Sequence, residues 1–350
     1  MAAPKTAKLA LQQSPALGGI QRGGQAPIPG PATQGRDLVS MADLSPAEFE
    51  LALTAAELVK ANPREYRKAL ADRQIVLIFE KPSLRTRVTF EAGMKSMGGD
   101  AIFLDQRDCR IGEREEVRDV ARNLERWVDG IVLRTFEHAT VAEMARYARV
   151  PVINALSDLE HPCQALADFL TLKEKFSDFS SMKLAYVGDG NNMAHSLLLA
   201  AALAGSEVAI ATPAGYEPKA DIVARARAIA AATGAAIEIT HDPMAAVAGA
   251  DAVYTDVWAS MGQEGEAEAR KAAFAGYQVT GSLMSCASRR AIFMHCLPAH
   301  RGQEVAASVI DSPRSVVFEQ AENRLHAQKA LLLLVLSDAG LRFPARAAEA

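Results

Sequence analysis

From about residue 37 onward, short runs of apolar residues alternate with longer segments in which apolar positions recur every three or four residues. This alternation predicts strands separated by amphipathic helices, which is typical of βαβ units and of parallel sheets with helices on both faces. The predicted strands are Ile75–Phe79, Ala101–Leu104, Gly130–Leu133, Val150–Asn154, Leu184–Val187, Val208–Ala211, Ala236–Ile239, Ala252–Tyr254 and Ile292–Met294.

These strands divide into two sheets at Phe176–Ser181, a short polar joint that follows one long helix. The predicted fold class is therefore α/β, with two doubly wound parallel-sheet domains joined by interdomain helices. We expect the first domain at 37–178 and the second at 179–319. A C-terminal helix at 320–340, patterned over Gln320–Ala339, has a leucine-rich half that predicts burial against the first domain.

Residues 1–36 differ from the rest, with five prolines, six glycines and no acidic residue. Such a segment buries too little apolar surface to fold alone, so it is predicted to be a disordered tail. The lack of acid also fits an organelle transit peptide, but those are rich in arginine and serine, and this segment has two arginines and one serine. We therefore expect a cytoplasmic protein, with organelle import as the alternative.

Charge, hydropathy and cysteine spacing exclude several classes of protein. A net charge of −4 and a pI near 6.0 offer little attraction to a phosphate backbone, so no nucleic-acid partner is expected. The longest aliphatic run, Ala330–Leu336, is far shorter than the ~20 residues of a membrane-spanning helix, so no membrane association is expected. The widely spaced cysteines indicate a reducing compartment without disulfides.

Ligands of parallel sheets bind at the carboxyl ends of strands, and the residues that follow the first four predicted strands suit an anion. The segment Ser83–Thr86 opens a helix whose free N–H groups, together with arginine and hydroxyl side chains, make a phosphate cradle. The alternative is an ordinary capped helix with solvated arginines. The other groups at these strand ends, suited to hold a phosphate and polarise a carbonyl, are Arg134, His161 and Gln164.

The second sheet begins with a partial dinucleotide-binding pattern at Gly188–Asn192. Met193 replaces the third glycine, and the next strand ends at Thr212 instead of at an acid that would bind a ribose, so a nicotinamide-dependent dehydrogenase is disfavoured. Asn192 is then free for a different ligand. Asp256, which follows a later strand, can pair with a substrate ammonium group.

Two further segments carry polar side chains. His295, Cys296 and His300 invite a zinc interpretation, but structural zinc sites usually have four Cys or His ligands and the sequence offers no second cluster. Metal binding is therefore the weaker hypothesis. Arg324 adds another cation near the start of the last predicted helix.

Seven segments resemble motifs of the aspartate/ornithine carbamoyltransferase family and follow one another in the family's order. They resemble its ornithine branch more than its aspartate branch. The resemblance runs from about residue 37 to 340. It implies an enzyme of arginine metabolism that makes citrulline and phosphate from carbamoyl phosphate and L-ornithine, without metal or organic cofactor, as a homotrimer or an assembly of trimers with active sites between subunits. The segments are FEKPSLRTR, LRTF, HPCQALAD, VGDGNNMAHS, DVWASMGQE, HCLPAHRG and QAENRLHAQKALL.

Carried over by position, the resemblance implies three sets of site residues. The implied catalytic residues are Arg134, His161, Asp256 and Cys296. The residues implied to bind carbamoyl phosphate are Ser83, Leu84 through its main chain, Arg85, Thr86, Arg134, His161, Gln164, Cys296, Leu297 and Arg324. The residues implied to bind ornithine are Asn192, Asp256, Ser260 and Met261.

Two positions depart from the family pattern. Leu84 replaces the first threonine of the usual S-T-R-T-R motif, where only the main chain is needed, so we expect little effect. Arg110 stands where the family usually has a glutamine that reaches the phosphate of a neighbouring subunit, and this departure leaves that contact open.

Two other functions compete with ornithine carbamoylation. One is a sister carbamoyltransferase that acts on putrescine or an N-acylated ornithine, although Asp256, Ser260, Met261 and Cys296 suit the α-ammonium and α-carboxylate of free ornithine. The other is a catalytically silent subunit that serves as an interaction scaffold. The retention of every polar residue at the strand ends argues against the scaffold.

Overall fold

The computed structural model describes residues 36–105, 111–259 and 264–337. Most of the predicted tail, Arg110, Ser260, Met261 and the end of the last predicted helix lie outside these ranges. The first sheet has the order β2-β1-β3-β4 and the second β7-β6-β5-β8-β9, and all pairings are parallel. The strands are β1 (Gln74–Phe79), β2 (Asp100–Asp105), β3 (Gly130–Arg134), β4 (Val152–Leu156), β5 (Lys183–Val187), β6 (Glu207–Ala211), β7 (Ile237–Thr240), β8 (Ala252–Thr255) and β9 (Ile292–His295).

The predicted fold class, strands and division into two sheets are confirmed, with strand ends that shift by one or two residues. The largest shift is in β4, which begins at Val152 because Pro151 has no N–H to donate to a ladder. The Val152 N–H itself donates to Asp37 Oδ1 at 2.8 Å. The start of the first domain is thereby attached to its edge strand.

Twelve helices among the described residues cover and connect the sheets, and none of them is long and apolar enough to cross a bilayer. They are α1 (Pro46–Ala61), α2 (Leu84–Ser96), α3 (Val117–Leu124), α4 (His138–Tyr147), α5 (Pro162–Phe176), α6 (Asn192–Ala204), α7 (Ala220–Thr233), α8 (Pro243–Val247), α9 (Ala267–Ala273), α10 (Gly281–Cys286), α11 (Ala307–Ile310) and α12 (Val317–Leu336). Two 3-10 turns occupy Met41–Asp43 and Glu264–Glu266.

Alternate residues of β1 belong to different apolar clusters. Leu77 and Phe79 pack in a cluster with α1, α2 and α12, while Val76 and Ile78 pack in another with α3 and α4. Successive side chains of a strand point to opposite faces, so this central strand is buried on both, as expected for a parallel sheet.

The larger cluster continues into the second domain, where it includes Leu184 of β5 and Leu197 of α6. Helices α5 and α12 run through it, and Leu331–Leu334 of α12 are buried against α1, α2 and α5. The prediction that the leucine-rich helix is buried against the first domain is thus confirmed. The helix begins at Val317 instead of Gln320, since the preceding Val316 N–H is held by the Phe293 carbonyl of β9 at 3.0 Å.

The strand orders place a topological switch point in each sheet. In the first sheet, β2 and β3 lie on opposite sides of β1, so the loops after β1 and β3 diverge. In the second sheet, β6 and β8 lie on opposite sides of β5 in the same way. Ligands of open α/β sheets bind in the crevices that such divergence creates. The residues that follow β1 and β3 lie at the first crevice, and those that follow β5 and β8 lie at the second.

Gly190, in the turn after β5, makes a close backbone contact with the segment after β6. Its N–H donates to the Tyr216 carbonyl at 2.8 Å. A Cβ atom at this position would lie 2.3 Å from Pro218 N and 2.4 Å from Tyr216 O, which are backbone atoms that cannot rotate away. The absence of a side chain at Gly190 therefore allows these two backbone segments to pack against each other.

We predict that Gly190→Ala lowers the unfolding free energy by about 3 kcal/mol or more, because overpacking against backbone has no cheap relaxation. Gly281→Ala is the matched control, since a Cβ there meets no atom within 4 Å. Urea denaturation of both variants measures the effect. Equal midpoints for the two variants would contradict the proposed backbone clash.

Candidate active site

The turn after β1 leads directly into α2, and Ser83 caps that helix as the sequence predicts. Its Oγ accepts the Thr86 N–H at 3.3 Å, and the first turn holds no acidic residue. Thr86 is buried, Arg85 is half-buried and Leu84 is 77% exposed. The turn therefore draws a hydroxyl and a guanidinium into the protein and leaves the leucine outside.

Three arginines from different elements gather beside this turn: Arg85 of α2, Arg134 at the end of β3 and Arg324 of α12. Burial, followed by the charges of Arg324 and Arg85, lowers the pKa of Arg134 to about 10. Burial also lowers the pKa of Arg324. Within the described ranges none of the three forms an ion pair with a carboxylate. Because Arg134 and Arg324 are buried and Arg85 is half-buried, this arginine cluster is a largely desolvated positive charge that favours binding of an anion.

Arg324 joins the first domain's polar groups to one another. Its Nη2 donates to Thr86 Oγ1 at 2.7 Å, and its Nη1 donates to Gln164 Oε1 and lies 3.3 Å from His161 Nε2. Residues from α2, α5 and α12 are thus held by one guanidinium. The structure brings together five of the predicted carbamoyl-phosphate residues here: Thr86, Arg134, His161, Gln164 and Arg324.

The protonation state of His161 follows from these neighbours. Burial, with the positive charges of Arg324, Arg134 and Arg85, holds the pKa of His161 well below its usual range, so the imidazole is neutral at pH 7. A guanidinium only donates, so Nε2 is the acceptor and Nδ1 carries the proton. His161 consequently offers an N–H donor without a positive charge of its own.

Several buried donors of this cluster have no acceptor among the residues that the structure describes. They are Nε of Arg134, Nδ1 of His161 and Nε of Arg324. Buried polar groups are almost always hydrogen-bonded, so three unpaired donors in one place are unusual. Their number and charge suit a ligand that is anionic and rich in acceptor oxygens.

A second group of polar residues forms around Asp256, which follows β8. Its Oδ1 accepts from the Cys296 thiol at 3.0 Å and from the Val257 N–H at 2.8 Å, and its Oδ2 accepts from Asn191 Nδ2 at 2.9 Å. Burial and then the Asp256 charge raise the pKa of Cys296 well above its usual range, so the thiol keeps its proton. Cys296 is also close enough to Arg134 to act on its pKa, which puts the Asp256 group beside the arginine cluster.

The backbone after β9 is held in an unusual conformation. Leu297 has a φ of +57°, and its N–H donates to His295 Nδ1 at 2.9 Å. The other ring nitrogen of His295 lies 3.3 Å from Glu304 Oε1, and both side chains are fully buried. Non-glycine residues at positive φ persist only where their surroundings hold them, and they cluster at functional sites.

The zinc interpretation of the H-C-x₃-H spacing is not supported by this arrangement. Ligand atoms of Asp256, His295 and Cys296 lie within 4.8 Å of one another, whereas His300 is at the surface, 3.9 Å from Glu304. Both nitrogens of His295 and the thiol proton are already engaged in hydrogen bonds. The donor set is therefore satisfied by the protein itself.

Asn192, which the family resemblance implies to bind ornithine, contacts the first domain and not the Asp256 group. Asn192 Nδ2 donates to the Ser157 carbonyl at 2.8 Å, so this side chain joins the second domain to the loop after β4. Its neighbour Asn191 contacts Asp256 and also caps α6 by accepting the N–H groups of Met193 and Ala194. Ser260 and Met261 lie outside the described residues.

Comparisons with known proteins match both halves of the chain. Residues 36–174 match the aspartate/ornithine carbamoyltransferase carbamoyl-P binding domain, and residues 180–335 match the Asp/Orn binding domain of the same family. The chain belongs to the aspartate/ornithine carbamoyltransferase family. The family resemblance of its motifs is thereby confirmed.

Individual relatives of this carbamoyltransferase-family chain are similar over nearly their whole length. An ornithine carbamoyltransferase of Symbiobacterium thermophilum is 53% identical over 87% of this chain and 99% of its own. An anabolic ornithine carbamoyltransferase of Pyrococcus furiosus is 49% identical over 88% of this chain and 98% of its own. A solved structure of ornithine carbamoyltransferase from Pyrococcus furiosus matches with a TM-score of 0.84 and 48% identity, over 87% of this chain and 98% of that one.

The glycine pattern after β5 has a structural explanation in this carbamoyltransferase-family fold. In a dinucleotide-binding motif the second glycine lets the backbone approach a pyrophosphate. Here the space next to Gly190 is filled by the backbone of Tyr216 and Pro218. The dehydrogenase alternative, already disfavoured by the sequence, has no room for its cofactor at this glycine.

Sequence reasoning missed two polar residues of the carbamoyltransferase-family site. One is Asn191, which contacts Asp256; an asparagine immediately before a helix is a preferred N-cap and so is held in place by the backbone. Asp168 of α5 was also missed. It lies four residues after Gln164, on the same side of the helix, and Gln164 Nε2 donates to its Oδ1 at 2.7 Å.

We predict that Asp256→Asn lowers the pKa of Cys296, because it removes the carboxylate charge and the hydrogen bond that hold the thiol proton. The measurement is the pH dependence of iodoacetamide alkylation, with the Cys296 peptide quantified by mass spectrometry. Asp311→Asn is the control, since that carboxylate pairs with Arg301 at the surface. An unchanged alkylation profile in Asp256→Asn would contradict the assigned thiol–carboxylate contact.

Proposed function

We propose that this member of the family transfers the carbamoyl group of carbamoyl phosphate to the δ-amine of L-ornithine and releases L-citrulline and phosphate. The observation that carries the proposal is the arginine cluster, in which Arg134 and Arg324 are buried. The cluster forms no direct ion pair with a carboxylate among the described residues, and it lies beside the Asp256 group. The names of the relatives described above support ornithine as the acceptor.

The phosphate of the substrate binds at the N-terminus of α2 and to the arginine cluster. Carbamoyl phosphate carries about two negative charges, and each charge-assisted hydrogen bond is worth roughly 1.5–3 kcal/mol. Ser83, the Leu84 and Arg85 main-chain N–H groups and the helix dipole add neutral donors and a positive end. Arg85 and Arg134 supply the charge.

The carbonyl oxygen of the substrate is polarised by Thr86, Arg134 and His161. The Thr86 hydroxyl accepts from Arg324, so its own proton is available to donate. The unpaired Nε–H of Arg134 and Nδ1–H of His161 are the other donors. Donors fixed in advance stabilise the oxyanion of the tetrahedral transition state without reorganisation during the reaction. Gln164 and Leu297 orient the carbamoyl NH2 group through their oxygens.

Ornithine binds on the side of the second domain, to Asn192, Asp256, Ser260 and Met261. The Asp256 carboxylate pairs with an ammonium group, and Cys296 lies where the two substrates meet. The δ-amine must be neutral to attack, although its free pKa is near ~10.4, like that of lysine. Removal from water favours the neutral form.

The reaction then needs no dedicated protein base. The δ-nitrogen forms a bond to the carbamoyl carbon, the bond from that carbon to the bridging phosphate oxygen breaks, and the departing phosphate takes the proton that the amine loses. The acyl phosphate is already activated, so neither metal nor organic cofactor is required. Holding two small substrates in line supplies roughly 7–11 kcal/mol of the barrier.

We also propose that the chain forms a homotrimer, in which a second copy of the chain covers the β2 edge of the first sheet. Among the strands that the structure describes, β2 has a neighbour on one side only. Ile102 on this strand and Leu84 and Val88 on the adjoining α2 are exposed apolar residues. An open strand edge flanked by apolar side chains favours association. Arg110 follows β2 in the sequence and is the candidate for a contact with the neighbouring site.

The substrate is tested by incubating the purified protein with carbamoyl phosphate and one of four amines: ornithine, putrescine, N-acetylornithine or aspartate. Colorimetric detection of the ureido product should give citrulline from ornithine and no product from the others. Product from putrescine or N-acetylornithine would favour a sister carbamoyltransferase and overturn the proposed role of Asp256. No product from any amine would favour the scaffold alternative. The cytoplasmic location stays a prediction.

We predict that Arg85→Ala lowers kcat/KM for carbamoyl phosphate about 30-fold or more, which corresponds to ~2 kcal/mol of transition-state stabilisation. Steady-state kinetics at saturating ornithine measure the loss. The control is Arg301→Ala, which removes a surface arginine that is paired with Asp311. Activity of Arg85→Ala within a few-fold of wild type would remove Arg85 from the phosphate site.

A further inference from the structure

The carboxylate of Asp168 is fully buried and accepts hydrogen bonds from elements on both sides of the site. Its Oδ1 accepts from Gln164 Nε2 and from Gln320 Nε2, both at 2.7 Å, and its Oδ2 accepts from the Tyr254 hydroxyl at 3.1 Å. Asp168 is part of α5, Gln320 of α12 and Tyr254 of β8. The carboxylate therefore joins three elements that carry site residues.

Each partner of Asp168 passes the contact on to a residue of the site. Gln164 Oε1 accepts from Arg324, and Gln320 Oε1 accepts the His295 main-chain N–H at 3.0 Å. His295 directly precedes Cys296, and Tyr254 lies two residues before Asp256. Asp168 itself touches neither proposed substrate, so any role in the reaction is indirect.

The carboxylate determines which way both glutamine amides point. Oδ1 of Asp168 accepts from both glutamines, so each glutamine presents its NH2 group to Asp168. The amide oxygen of Gln164 is then left for Arg324, and that of Gln320 for the backbone of β9. Arg324 and the His295 N–H only donate, so they require the same orientation from the other side. A neutral side chain of the same shape at position 168 would replace the charge-assisted hydrogen bonds to both amides by weaker ones.

The ionised form depends on all three partners. Burial raises the pKa of Asp168 to about 7, and the hydrogen bonds from Gln164, Gln320 and Tyr254 act against that rise. Arg324 also favours the ionised form through its charge. The donors and the carboxylate thus stabilise one another, and removing one of them weakens the rest.

We propose that Asp168 is a positioning residue for carbamoyl transfer. It orients the Gln164 and Gln320 amides and so fixes the position of Arg324 relative to the backbone at Cys296. This inference rests on the proposed function, because the relative position of these groups matters only if a ligand at the arginine cluster reacts with a ligand at Asp256. The competing explanation is a buried polar group that only contributes to stability.

The experiment compares Asp168→Asn, Tyr254→Phe, their double variant and Thr171→Val. Thr171→Val is the matched control, because it removes a buried hydroxyl one turn further along α5 that contacts Ala167 and Asn323 and none of the hydrogen-bond partners of Asp168. Two readouts are taken: calorimetric affinity for phosphonoacetamide, in which CH2 replaces the bridging oxygen of carbamoyl phosphate, and steady-state kcat and KM.

We expect Asp168→Asn to bind phosphonoacetamide about ten-fold more weakly and to lower kcat as well. The substitution removes the charge that strengthens the hydrogen bond from Gln164, the residue that holds Arg324. Tyr254→Phe should weaken binding about three-fold, and adding it to Asp168→Asn should cost nothing further, because both act through one carboxylate. Thr171→Val should lower the denaturation midpoint and leave both kinetic constants near wild type.

Wild-type analogue affinity and kcat in folded Asp168→Asn would overturn the inference. If that variant does not fold, the same result in Tyr254→Phe would do so. A wild-type protein that binds the analogue but makes no product from ornithine would overturn the proposed function alone, and analogue affinity of the variants would then decide the role of Asp168. Failure of the wild type to bind the analogue would overturn both.

Discussion

The guanidinium of Arg324 is the contact on which the rest of the site depends. It comes from the last described helix and reaches a helix start, a histidine and a glutamine that belong to the first domain. Without it, Thr86, His161 and Gln164 would have no common partner. The long apolar surface of α12, buried against α1, α2 and α5, holds this charged group in position.

Such an arrangement has an electrostatic cost. Three arginines share a region in which burial and mutual repulsion lower the pKa of Arg134 to about 10, and none of them forms a direct ion pair with a carboxylate of the described residues. The apolar packing of α5 and α12 offsets this cost in the folded chain. An unpaired, desolvated positive cluster discriminates strongly in favour of a dianion, because a neutral ligand would leave the repulsion in place. Selectivity for a dianion and the electrostatic cost in the fold therefore have the same physical origin.

Much of this architecture is predictable from the sequence, because its signals are local. The apolar runs locate the strands, and Ser83 identifies a helix start by its position alone. The contacts that make the site are long-range. Nothing near Thr86 in the chain indicates that its partner is Arg324, 238 residues later. The contact of Asn191 with Asp256 is likewise long-range, and the sequence indicates only that Asn191 precedes a helix. Asp168 resembles any polar residue of a helix until its three partners are known.

The separation of Thr86 from Arg324 also has a consequence for how the protein is made. A ribosome adds about 5–20 residues per second, so roughly 10–50 s pass between the synthesis of these two residues. During that time α1, α2 and α5 lack the helix that covers them, and their apolar surface is open to other chains. The nascent protein is therefore most prone to aggregate when its sheets are nearly complete. Its arginine cluster is complete only when α12 emerges and docks.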